Sequence, residues 1–136
     1  MAVRAESIVA ALAAAAATAA LACGFCIEDR VAAVYDSPMI EAAVAKHRHV
    51  AFLAVDGEIA LDAAAQKALA QALEGAGAIR GATRMAAENA ACAVVFDPRR
   101  TTLSQLVAAG DKALASRHRR VTALRIIDDG GKLREP

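Results

Sequence analysis

The sequence predicts an α+β domain in which an antiparallel sheet carries helices on its faces. Three observations predict it. From residue 50 onward the hydrophobic patterns run strand, helix, strand, strand, helix, strand. Two of the strand segments, 50–55 (VAFLAV) and 91–96 (ACAVVF), are wholly apolar, as central strands covered on both faces must be. The helical segments start at capping residues and stop at glycines or at runs of polar residues. That order is the split βαβ of a ferredoxin-like βαββαβ sandwich. Two right-handed crossovers then place two helices on one face of a four-stranded antiparallel sheet.

The elements follow in chain order. Residues 1–22 hold an uncharged run from Ile8 to Ala22, which is shorter than the roughly 20 residues that span a bilayer. It closes on Ala20-Leu21-Ala22, a small-x-small pattern, and reads as a signal peptide cut before Cys23. The competing readings are an alanine-rich helix of a cytosolic protein and lipidation at Cys23. The lipidation motif wants leucine three places before the cysteine, where Ala20 stands. The expected organisation is therefore a signal peptide over 1–22, a Cys-x-x-Cys segment with a helical extension over 23–49, the sandwich over 50–127, and a flexible tail over 128–136. The expected location is exported, in the periplasm.

Within the extension, Ile27, Val31 and Val34 share a helical face over 27–35. Ser37-Pro38 opens a second helix, with serine as cap and proline at the first helical position. The run 50–55 ends at Asp56-Gly57, a turn. Leu61, Ala65, Leu69 and Leu73 recur every four residues, and Gly75 and Gly77 end their helix. A weaker strand over 79–87 and a tight turn at Glu88-Asn89 lead into 91–96, which Asp97-Pro98 stops. Thr102 and Gln105 have capping-box spacing, and Leu103, Leu106, Val107, Gly110 and Leu114 form one helix face. The last strand is 121–127.

Both alternating sets of the central strands are apolar. Cys92, Val94 and Phe96 alternate with Ala91, Ala93 and Val95, and Val50, Phe52 and Ala54 with Ala51, Leu53 and Val55. Such a sheet needs two covers. The helices over 61–74 and 102–115 supply one. The extension supplies the other through Ile27, Val31, Val34, Ile40 and Val44, unless a second subunit does so.

Residues 91–109, ACAVVFDPRRTTLSQLVAA, resemble the second half of a heavy-metal-associated domain: an apolar strand, an aromatic followed by Asp-Pro, then a helix. Residues 84–90 suit the hairpin before it. The resemblance spans about residues 50–127 and implies the ferredoxin-like fold and soft-metal or protein docking. It carries over no ligand, because that family's metal-binding Cys-x-x-Cys follows the first strand, where this chain reads Asp56-Gly57-Glu58-Ile59-Ala60.

The chain's own Cys-x-x-Cys is Cys23-Gly24-Phe25-Cys26, ahead of the domain. Three uses are open to it. The pair is a candidate ligand set for Cu(I) or another soft ion, with His47 and His49 as further candidate ligands. It is a candidate dithiol–disulfide couple, with Cys23 attacking and Cys26 resolving. It is also a candidate static disulfide. His47 and His49, two apart on an extended segment, would point to one side. Cys92 alternates with Val94 and Phe96 and reads as a packed small hydrophobe.

Composition narrows the function further. Of 136 residues, 57% are hydrophobic, but 39 are alanine, so the large core side chains are few. Sixteen basic against fifteen acidic residues exclude a strongly polyanion-binding chain, and nucleic acid is not an expected partner. No nucleophile–base–acid set, phosphate loop or zinc-hydrolase spacing is present, which points to binding rather than catalysis. A protein partner or a homodimer is the expected assembly, with membrane contact only through the signal peptide or lipidation at Cys23. The alternative is a small periplasmic thiol–disulfide protein.

Overall fold

The structure, a computed structural model, describes residues 26–57 and 61–136. The expected signal peptide, the cleavage position and Cys23 lie outside the described residues. Four α-helices and one antiparallel sheet make up the described chain: α1 (Ile27–Ala33), α2 (Ser37–Ala45), β1 (His49–Asp56), α3 (Ala63–Gly75), β2 (Ala78–Ala86), β3 (Ala91–Phe96), α4 (Leu103–Leu114), β4 (Arg120–Ile127) and β5 (Leu133–Arg134). None of these helices is long and apolar enough to cross a membrane. The strands lie in the order β2-β3-β1-β4-β5, and every pairing is antiparallel.

Side-chain caps set where the helices begin. Asp62 accepts from the Ala65 N–H at 2.7 Å to start α3. Thr102 and Gln105 form the expected capping box at α4, each side chain bonding the other's backbone N–H. At α2 the cap is Asp36, one residue ahead of the expected Ser37. A carboxylate outcompetes a hydroxyl there because two donors converge on it. The Met39 N–H donates at 3.1 Å and Arg84 Nε at 2.7 Å. Those contacts, the backbone donor first, hold the Asp36 carboxyl below its usual range.

The alternation of the central strands builds two cores. On the front, Ala51, Leu53 and Val55 of β1 and Cys92, Val94 and Phe96 of β3 meet Leu69, Leu73, Leu106 and Leu114 of α3 and α4. On the back, Val50, Phe52, Ala54, Ala91, Ala93 and Val95 meet Val31, Val34, Ile40 and Ala43 of α1 and α2. The second cover is thus the chain's own N-terminal helix pair. Of the five residues expected to make it, Val31, Val34 and Ile40 are buried, Val44 is partly so, and Ile27 is 37% exposed.

Two features depart from the expected pattern. The sheet has five strands where four were expected. Within the segment expected as a frayed tail, Asp128 accepts from the Gly130 and Lys132 N–H groups at 3.0 and 3.2 Å. Gly131 adopts the left-handed φ of 75°, and the chain returns to pair Leu133 with Ile127. The second departure is a bulge in β4. Phe52 of β1 faces Arg125, but its neighbour Leu53 faces Ala123, so Leu124 is the extra residue. Val121 and Ala123 therefore keep to the front with Ile126, while Leu124 and Ile127 join the back. An alternation read from the sequence as Val121, Ala123 and Ile127 against Thr122, Leu124 and Ile126 is therefore not the one the sheet adopts.

Candidate functional site

Of the residues that the sequence offered as one ligand set, the structure describes Cys26, His47 and His49. Cys26 is exposed and is the extended N-cap residue of α1, a helix of the back layer. His49 opens β1, two residues before the front-facing Ala51, and so shares its face. Its ring meets the front-core Phe96 edge-on, with centroids 5.6 Å apart, and its Nε2 lies 3.8 Å from Asp129. Cys26 and His49 thus belong to opposite layers of the sheet.

His47 is exposed and takes a left-handed φ of 54° in the turn after α2. It is not on the extended segment that would have aligned it with His49. Among the described residues, no group of three or more His, Cys, Asp or Glu is placed to hold a metal ion.

Cys26 immediately precedes Ile27, which lines a groove. The described residues include three exposed large hydrophobics: Ile27 at 37%, Tyr35 at 50% and Leu133 at 52%. All three line one groove of about 470 Å³ between α1 and the β4–β5 edge. Val31 and Ala32 add to its apolar wall. The polar element is the pair of Arg125 Nη2 and Glu28 Oε1 at 3.5 Å. Arg125 points here because the bulge at Leu124 turns it to the Phe52 side of the sheet. Tyr35, at the far wall, lies flat over Phe52.

Sequence reasoning did not find this groove. Ile27 had been assigned to the core, Leu133 to a frayed tail, and Arg125 to no site. A hydrophobic residue within a polar C-terminal stretch, Leu133, was the one available signal.

Cys92 is buried within the front core, as expected of a packed hydrophobe. Burial pushes its thiol up to about 12, so it is chemically quiet. No known protein family, curated protein or solved structure matches the chain.

Proposed function

We propose that the chain is a non-enzymatic, exported binding module on a ferredoxin-like sandwich of the heavy-metal-associated type. It holds a soft metal ion such as Cu(I) through Cys23 and Cys26. The strand order β2-β3-β1-β4, with helices after β1 and β3, supports the ferredoxin-like reading, and β5 is an addition to it. The observation that carries the functional reading is the exposed position of Cys26 at the entry to α1, beside the groove of Ile27, Tyr35 and Leu133. Thiolates select soft ions, and two suffice for Cu(I). A partner that delivers or removes the ion would meet the cysteine pair across that apolar groove. His47 and His49 are left out of the ligand set, given their placement.

Competition with a Cu(I) chelator tests this on chain that begins at Cys23. One ion per chain is expected, lost in the Cys23→Ser, Cys26→Ser variant and kept in the His47→Ala, His49→Ala variant. Stoichiometric binding that survives the double serine change would overturn the assignment. The exposed position of Cys26 supports the thiol–disulfide alternative as well. Catalytic reduction of a disulfide substrate, abolished by Cys23→Ser alone, would favour that reading.

A further inference from the structure

A second cleft, between α2 and the edge strand β2, lies on residues with no part in the cysteine site. We infer that it binds an acidic, partly apolar segment of a partner polypeptide. Its walls carry four cations: Lys46 and Arg48 after α2, and Arg80 and Arg84 on β2. The balanced charge of the whole chain hides this concentration.

Two carboxylates nearby are already engaged. Asp36 caps α2 and holds Arg84 at 2.7 Å, and Glu74 accepts the Gly81 N–H at 3.3 Å. Lys46, Arg48 and Arg80 make no ion pair among the described residues.

The strand itself is distorted at this point. Ala78 faces Phe96 and Thr83 faces Val94, so five residue steps on β2 oppose two on β3. Gly81 sits within that irregularity at a left-handed φ of 76°. Bulges of this kind re-aim side chains beside binding sites. Here the bulge segment carries Arg80 and the partly buried Ile79 and Ala82.

Size and lining select the ligand class. The cleft holds about 250 Å³, below the roughly 300–1,000 Å³ of pockets that enclose a small molecule. It is suited to gripping part of something larger. Met39, Ile79 and Val95 give it an apolar floor between the cations. A compact polyanion would leave that floor unused. A polypeptide with carboxylates on either side of an aliphatic side chain satisfies both.

The probe is a fluorescein-labelled decapeptide alternating Glu or Asp with Leu, read by anisotropy against the full chain at low salt. Saturable binding is expected, weakening with added salt. Arg48→Glu and Arg80→Glu should each weaken it about tenfold. Arg117→Glu, in the turn after α4, should leave it unchanged, and so should Cys23→Ser with Cys26→Ser, which separates this proposal from the metal reading. Replacing Leu by Ser in the peptide should weaken binding as well. Thermal melts of the two cleft variants confirm that they fold. Absence of saturable binding would overturn the proposal, and so would an equal loss in Arg117→Glu. Displacement by tripolyphosphate as effectively as by unlabelled peptide would make the cleft a small-anion site instead.

Discussion

Tyr35 lies parallel to Phe52, with ring planes 2° apart and centroids separated by 6.1 Å. One ring is half exposed on the N-terminal extension and the other is fully buried in the central strand. The pair therefore ties the extension to the middle of the sheet. An offset pair in this range contributes about 0.5–1.5 kcal/mol beyond area burial. Tyr35→Ala should lower stability by about 1–2 kcal/mol in urea melts, and Tyr35→Phe should be nearly neutral. An alanine variant as stable as the parent would show that the stacking contributes nothing.

Removing the extension should have a much larger effect. A chain starting at His47 loses Val31, Val34, Ile40 and Ala43 from the back core. It bares Val50, Phe52, Ala91, Ala93 and Val95 together, at about 25 cal/mol per Å² of apolar surface uncovered. Light scattering should show self-association, and dye binding should report exposed apolar surface. A soluble, monomeric truncation with unchanged melting would refute the structural role given to α1 and α2.

Gly110 marks a close approach of α4 to its neighbours. A Cβ there would stand 2.8 Å from Val121 Cγ2 and 3.1 Å from Leu69 Cδ1. Alanine gains up to about 1 kcal/mol of helix propensity over glycine, but overpacking costs about 1–3 kcal/mol. The steric effect should win. Gly110→Ala should destabilise the domain, and adding Val121→Ala should recover part of the loss, so the two changes are less than additive. Additive losses by denaturant titration would contradict the close packing.

The Cys92 thiol gives the domain an alkaline signature. Its value rises from 9.0 in water to about 12 in the fold. Below pH 9 both states hold the proton, so the contribution is fully present. Above pH 9 the unfolded chain releases it while the folded chain keeps it up to about 12. Stability should therefore fall as pH rises between those values. Cys92→Val should flatten this part of the profile. A disulfide-exchange reagent at pH 8 should spare Cys92 in the folded chain and label it in urea.

The two-sided apolar pattern made most of this architecture legible in the sequence. The runs 50–55 and 91–96 announced a sheet covered on both faces, and Val31, Val34 and Ile40 named its second cover. Backbone irregularities were not legible. One extra residue at Leu124 exchanges faces for everything after it, and no side-chain chemistry in Ala123-Leu124-Arg125 signals the slip. The return of the chain at Asp128 depends on a carboxylate capping two backbone N–H groups, a role that a polar, glycine-containing tail does not advertise. The candidate site suffered more than the fold. Ile27 of the groove directly follows Cys26 in sequence, but Arg125 and Leu133, which also line it, arrive only through the bulge and the added strand. His47 sits in a left-handed turn, ahead of the strand that His49 opens.

The irregular β2 and the two-residue β5 share a consequence for the chain in a crowded solution. They are the two edges of the sheet. A sheet of such apolar strands, with long straight borders, would recruit further copies strand by strand. One border is broken by a glycine kink and carries Arg80 and Arg84. The other is too short to template a neighbour and carries Arg134, held by Asp128 at 3.3 Å. The irregularities thus act as guards against fibrous self-association, sparing a domain rich in small aliphatic residues from polymerising along its own hydrogen-bonding direction.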